Sequence, residues 1–253
     1  MKMHILSGGK LRMNRSIYYA DAARGEQLDL PVHSVLLRHA QGNVLFDTGC
    51  HPSVAVDAHA RWGALADVAV PVMARDDNLI ADLGALGLAP SDIDVVINSH
   101  YHSDHCGCNE FFKNASFFIH RAEFARVQAE DAVKVGYVRA DWDHPFPLTQ
   151  FDTETDVFGD DKLVIVPLPG HTPGMSGALA NLDRDGSFLL ASDAVSVRTN
   201  LDERFVPKNT WDADLFVQSL DAIARIERGG AQVVCGHDLA EWHALKKGAD
   251  HYA

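Results

Sequence analysis

The 253-residue chain sets 35 aspartates and glutamates against 22 lysines and arginines, a net charge of −13 with the histidines neutral. Such a surface repels phosphate backbones, so nucleic acid is not an expected partner. Hydrophobic residues make up 47% of the chain, the level of an ordered globular protein, and no apolar run reaches the length of a bilayer span. The start, Met1-Lys2-Met3-His4-Ile5-Leu6, lacks the apolar core and small-residue cleavage site of a secretory leader. The expectation is a cytoplasmic enzyme that does not engage a membrane.

In chain order, Met3 to Ser7, His33 to Arg38 and Asn43 to Asp47 read as opening strands, the last two joined by a turn at Ala40-Gln41-Gly42-Asn43. Residues 50–75, with Trp62 and Pro71, read as a long functional loop. Asp76 to Leu88 has helical spacing, with Leu79, Ile80, Leu83 and Leu86 on one face. Asp76 or Asp77 is placed to cap it, and Gly87 and Pro90 to end it. Ile93 to Ile97 reads as a buried strand, Ser116 to His120 as another, and Arg121 to Val133 as a helix. Residues 134–160 show no periodicity; their Tyr137, Trp142 and Phe146 fit either a pocket wall, together with Trp62, or packing on the outer sheet. Leu163 to Leu168, Phe188 to Ser192 and Ala231 to Cys235 complete the strands. Asp212 to Arg228 is a helix striped by Leu215, Phe216, Leu220, Ile223 and Ile226, and Gly229-Gly230 closes it. No Gly/Ser/Pro-rich linker interrupts this rhythm, so one domain over 1–253 is expected. Its class is α/β, two βα halves with strands meeting inside and helices outside.

His100-Tyr101-His102-Ser103-Asp104-His105 follows the strand at Ile93 to Ile97 and puts three imidazoles and a carboxylate into six residues. Neutral imidazole suits zinc, cobalt or iron, and a carboxylate adds charge that can hold a second ion. Four further motifs follow or precede it: Asp47-Thr48-Gly49, Pro169-Gly170-His171-Thr172-Pro173-Gly174, Asp193 at a strand end, and Gly236-His237-Asp238. These five motifs, in this order, resemble those of the metallo-β-lactamase superfamily. The resemblance implies a four-layer αβ/βα sandwich and a two-metal site. By that resemblance His100, His102 and His171 hold one divalent cation, Asp104, His105 and His237 hold the other, and Asp193 bridges them. Zinc is the first expectation, with cobalt, manganese or iron as alternatives. Asp47 is expected either to hydrogen-bond a ligand histidine or to cap its own turn. Cys50, Cys106, Cys108 and Cys235 lie close to these motifs. They read either as small apolar filler or as added thiolates, with Cys106 and Cys108 as a redox pair.

The resemblance also implies hydrolysis by a hydroxide shared between the two cations, with Asp104 and Asp193 as the acting carboxylates. The short stretch after His237 leaves no helical glutathione-binding domain, and the short interval from Asp193 to His237 leaves no room for the insertion of nucleic-acid-processing members. Leu28-Asp29-Leu30-Pro31-Val32, Ser99 through Asn109 and Gly236-His237-Asp238 are similar to the N-acyl homoserine lactonases and their relatives, 4-pyridoxolactonase included. The implied substrate is a small-molecule lactone or ester, and the protein a monomer or homodimer. A phosphoester, organophosphate or β-lactam hydrolase is one alternative, and a mononuclear iron dioxygenase or a metal-binding protein without turnover is another. One departure stands out: Ser196 occupies the position, three residues after Asp193, where those lactonases often carry tyrosine. Ser196 is expected at the rim of the site.

Overall fold

Alternate residues of a strand face opposite sides of its sheet, and in this chain both sides are apolar. The computed structural model describes residues 1–253. Its strands are β1 (Lys2–Asn14), β2 (Gln27–His39), β3 (Gly42–Phe46), β4 (Val70–Pro71), β5 (Val95–Ile97), β6 (Ser116–His120), β7 (Leu148–Phe151), β8 (Thr155–Asp156), β9 (Leu163–Pro167), β10 (Ser176–Leu182), β11 (Gly186–Ser192) and β12 (Gln232–Cys235). Seven form one sheet, ordered β4-β1-β2-β3-β5-β6-β7, and five the other, ordered β12-β11-β10-β9-β8. The helices are α1 (Val54–Trp62), α2 (Leu79–Ala85), α3 (Ser103–Cys106), α4 (Arg121–Val127), α5 (Arg139–Trp142), α6 (Arg198–Asp202), α7 (Ala213–Arg228) and α8 (Leu239–Ala244).

Between the sheets, Met3, Ile5, Val35, Leu37, Val44 and Phe46 meet Leu163, Ile165, Ala178, Ala180, Phe188 and Leu190. The alternate residues face outward onto helices. Leu36, Leu45, Val96 and Phe117 pack against Leu79 and Leu83 of α2. Val166, Leu189, Ala191 and Val233 pack against Phe216, Leu220 and Ile223 of α7. The result is the four-layer αβ/βα sandwich that the motifs implied.

Several elements differ from their sequence-based expectation. β1 and β2 run far past Ser7 and begin well before His33, pairing out to Asn14 and Gln27. A register shift between Ser7 and Lys10, and the Arg12–Asp29 ion pair at 2.6 Å on the outer hairpin, hide the apolar alternation. Residues 50–75 are not a loop, because they hold α1. Its helical period is broken at Asp57, which has extended dihedrals, φ −150 and ψ 91. The cap of α2 is Asn78, whose side chain accepts from the Ala81 amide at 3.1 Å; Asp77 instead accepts from the Ser7 hydroxyl. The helix from Arg121 stops at Val127, and a 3-10 turn at Ala132–Val135 follows it, closed by Gly136 at φ 96. Residues 134–160 supply α5 and the edge strands β7 and β8. β10 has no strong strand signature, since Ser-Gly-Ala-Leu-Ala-Asn-Leu is poor in β-branched residues. It nonetheless sits at the centre of its sheet, paired on both edges.

Candidate metal centre

Every site motif follows the end of a strand: Asp47 after β3, the histidine-rich loop after β5, His171 after β9, Asp193 after β11 and His237 after β12. The fold gathers these five ends at one edge of the sandwich. In the histidine-rich loop, His102 is the residue before the single turn of α3, which carries Asp104 and His105. Backbone bonds lock this turn, the Thr48 amide donating to the His105 carbonyl at 2.8 Å. Buried Asn98, Asn109 and Thr48 interlink behind it, with Thr48 Oγ1 to Asn109 Oδ1 at 2.9 Å and Asn109 Nδ2 to Asn98 Oδ1 at 3.0 Å. Fully buried Glu123 accepts from the amides of Tyr101 and Gly174, each at 3.1 Å, and so ties the histidine-rich loop to the loop of His171. A side chain at Gly174 would place its Cβ 2.4 Å from Glu123. Two backbones also nearly touch at Gly49 and Gly8, where a Cβ on Gly49 would stand 2.4 Å from the Gly8 Cα. A Cβ on Gly107 would meet the His51 amide at the same separation.

All seven expected residues converge. His100 Nε2 and His171 Nε2 each lie 3.0 Å from His102 Nδ1. Asp193 stands between the groups, with Oδ2 at 3.2 Å from His171 Nε2 and Oδ1 at 2.8 Å from His237 Nε2 and 3.7 Å from His105 Nε2. Asp104 Oδ2 is 3.4 Å from His105 Nε2 and 3.6 Å from His237 Nε2. Three sets of donor atoms fall within 4.8 Å of one another: His100, His102 and His171; His100, His105 and Asp193; Asp104, His105 and His237. The contacts are short but are not all aimed as hydrogen bonds, for His105 Nε2 and Asp193 Oδ1 are buried with no hydrogen-bond partner. Buried lone pairs that converge without hydrogen-bond direction are costly unless a cation is shared between them. Nitrogen and carboxylate donors in this number suit divalent cations.

The far nitrogen of four of the five rings is held in turn, which fixes ring orientation; His171 Nδ1 is buried without a partner. His100 Nδ1 meets Ser99 Oγ at 3.0 Å and His102 Nε2 the Val135 carbonyl at 3.1 Å. His105 Nδ1 meets Asp47 Oδ2 at 2.9 Å, and His237 Nδ1 the Pro31 carbonyl at 2.8 Å. Asp47 also accepts from the Ser99 amide and hydroxyl, each at 2.7 Å. It therefore orients a histidine and a loop rather than capping its own turn. Its φ of 58 is a left-handed conformation that these bonds over-determine.

Burial and charge split the rings. Burial pushes His100 well below the usual imidazole range, lowers His102, and brings His171 to about 4. Burial opposes charge on His105 too, but Asp104 and Asp47 outweigh it and raise that ring well above its usual value. For His237, Asp193 and then Asp104 overcome burial in the same sense. All four cysteines are buried and free, and burial raises each thiol. Cys106 donates to the Tyr101 carbonyl and Cys108 to the Cys50 carbonyl, each at 3.3 Å, and they belong to different apolar clusters. They are filler, not a redox pair or ligands.

A cavity of about 440 Å³ opens over His102, Asp104, His171 and Asp193. One wall is apolar, built from Leu11, Met13, Ile17, Trp62, Leu65 and Val68; Lys134 and Lys208 stand exposed at its edge. Of the four aromatic residues expected there, Trp62 and Tyr137 line it. Trp142 instead packs on Tyr101, ring centroids 6.0 Å apart, and Phe146 stacks on Phe117 at 5.2 Å. Ser196 is not at the rim. It is fully buried, its hydroxyl has no partner, and its carbonyl accepts from the His237 amide at 2.7 Å. Sequence reasoning missed Glu123 and Asn98, which carry no motif, and Tyr18, which lines the cavity from the 3-10 turn after β1; Asn109 stands at the end of the lactonase-like stretch, but its bonds to Thr48 and Asn98 were not foreseen.

This fold and this set of strand-end residues define the chain as a member of the metallo-β-lactamase superfamily, whose family model matches residues 28–237. Within it the chain belongs to the N-acyl homoserine lactonase family. It is 34% identical to the N-acyl homoserine lactonase AttM of Azorhizobium caulinodans, over all of this chain and 98% of that protein. It is 30% identical to the N-acyl homoserine lactonase AiiB of Agrobacterium fabrum, over 99% and 98%. Among solved structures, an N-acyl homoserine lactone hydrolase with the product N-hexanoyl-L-homoserine bound at its catalytic metal centre has the same fold. The TM-score is 0.89 at 23% identity, covering 99% of this chain and 98% of that one.

Proposed function

We propose that this protein is a metal-dependent lactonase that adds water across the ester of an N-acyl homoserine lactone, or a closely related lactone, and releases the ring-opened hydroxy acid. One observation carries the reading: two donor groups and Asp193 between them converge beneath a cavity with one apolar wall. Lactonase relatives of full-length similarity support it. His100, His102 and His171 would hold one cation, Asp104, His105 and His237 a second, and Asp193 both. Divalent cations, zinc first, supply Lewis acidity to an ester carbonyl and activate water for attack.

The chain's own groups do the rest. Asp47, Ser99 and the Pro31 and Val135 carbonyls fix the His105, His100, His237 and His102 rings, so these need little reorganisation when substrate arrives. The apolar wall excludes water and receives an acyl chain. Asp104 lines the cavity with Oδ2 beside His105 and His237. From there it takes the proton of the attacking water and returns it to the departing alkoxide oxygen. The test uses purified protein stripped by a chelator, then reloaded with zinc, with metal content and acid release from N-hexanoyl homoserine lactone measured on one sample. Turnover lost on stripping and regained on loading is expected. Full turnover of metal-free protein, or none from the loaded protein on any lactone, refutes the reading.

A further inference from the structure

The phenol of Tyr18 has no role in the chemistry above, yet it lines the cavity within reach of the charges of Asp193 and Asp104. Tyr18 follows the 3-10 turn Arg15–Ile17, and its amide closes that turn onto the Arg15 carbonyl at 3.0 Å. Its side chain is fully buried and lines the cavity that holds His102, Asp104, His171 and Asp193. Its neighbours Met13 and Ile17 belong to the apolar wall of that cavity. The hydroxyl donates to Met13 Sδ at 3.5 Å, and a thioether is a weak acceptor. The oxygen also has the Asn209 side chain as a hydrogen-bond partner, but its O–H is spent on a weak acceptor and can be redirected to a ligand carbonyl. The side-chain amide of Asn209, also lining the cavity, lies beside it. The pair therefore presents an O–H donor next to an amide that has both a carbonyl acceptor and an N–H donor.

That pairing complements one secondary amide: a carbonyl that accepts and an N–H that donates. Tyr18 touches Met13 of the apolar wall and feels the Asp104 and Asp193 charges, so a ligand with its ester at the metal centre and an alkyl chain on that wall would bring the linkage between them to this pair. We propose that Tyr18 and Asn209 recognise the amide that joins an acyl chain to a lactone ring, with the Tyr18 hydroxyl donating to its carbonyl. They thereby select N-acylated lactones over simple alkyl lactones. This rests on the lactonase reading and names the substrate feature that the cavity reads. No bond changes at Tyr18; it is a specificity contact.

The experiment compares wild type with Tyr18→Phe, at matched metal content, on N-hexanoyl homoserine lactone and on γ-decalactone, which has the same ring and no amide. Tyr18→Phe keeps the ring in place and removes only the hydroxyl, so thermal stability should hold. KM for the acylated lactone should rise about tenfold, the loss of one neutral hydrogen bond, with kcat changed less than about twofold. The kinetics on γ-decalactone should not move. Asn209→Ala should give a change of the same kind. Equal losses on both lactones would overturn the proposal by placing the hydroxyl at the ring or in the fold, and no loss on either would overturn it outright. A wild type that opens neither lactone would remove the proposed function and this assignment together. A wild type that opens both, with Tyr18→Phe unchanged, would remove this assignment alone.

Discussion

The two donor groups of the centre are built alike but are electrostatically opposite. His100, His102 and His171 are imidazoles alone; burial dominates and all three are held below their usual range. His105 and His237 are as deeply buried, but Asp104, Asp47 and Asp193 face them and reverse the outcome. Burial by itself therefore does not decide the charge of a histidine: His171, with Asp193 alone at 3.2 Å, stays low, whereas His105 and His237, each facing two or more carboxylates, are raised. One group is ready to offer neutral lone pairs, while the other is a balanced array of acids and rings that carries its own compensating charge.

The largest test of that contrast falls on the residue shared by both. Asp193→Asn should leave a folded protein and reduce kcat by about a thousandfold, roughly 4 kcal/mol, because the amide cannot offset the charge of both groups. Near wild-type turnover in a metal-loaded Asp193→Asn protein would dissolve the contrast. Next, His102→Ala and His237→Ala should each lower the metal content measured by elemental analysis, one from each group. Losses of about a hundredfold in activity are expected for either. Retention of full metal content in His102→Ala would show that its group is not a separate site.

Smaller effects come from the walls. Trp62→Ala should raise KM for long-chain lactones by about tenfold more than for short ones, since an indole buries much apolar area. Trp142→Ala, whose ring packs on Tyr101 outside the cavity, should leave the kinetics alone and lower stability by about 1–3 kcal/mol. The reverse result, measured by steady-state kinetics and denaturant titration, would reassign the wall.

The smallest effect sharpens the rule about carboxylates. His33 is buried with neither ring nitrogen bonded and stacks on Trp242 at 4.9 Å. Burial, then His237 and His105, bring it to about 3. A folded-state value below the unfolded one means the unfolded chain binds more protons in between. The stability this ring permits is thus fully present above about pH 6.5, its unfolded value. It is lost progressively as the pH falls toward 3. His33→Phe should flatten the acid limb of a Tm-against-pH curve between those limits. An unchanged acid limb would show that other groups set it.

The centre was far more legible than its surroundings. His100 to His105 announce themselves because ligands in one loop are neighbours in sequence, and His171, Asp193 and His237 are readable by their flanking residues. Glu123 was invisible because it acts on backbone amides of two distant loops, a relation no local pattern encodes. β10 was hidden by small residues that suit a crowded sheet centre rather than an isolated strand. α1 was hidden by its break at Asp57. Trp142 and Phe146 stayed open between pocket wall and sheet packing because an aperiodic aromatic segment looks the same whether it borders a cleft or covers a sheet.

The near contacts at Gly8, Gly49 and Gly107 bear on how this protein can change over generations. Three chain segments pass so close that none has room for a methyl group, so the loops carrying Asp47 and the histidine-rich motif must be inherited as one unit. Drift is then confined to the segments that only border the cavity, around Ile17, Trp62, Val135 and Lys208. A lineage descended from this chain would diversify what it accepts long before it altered how it reacts.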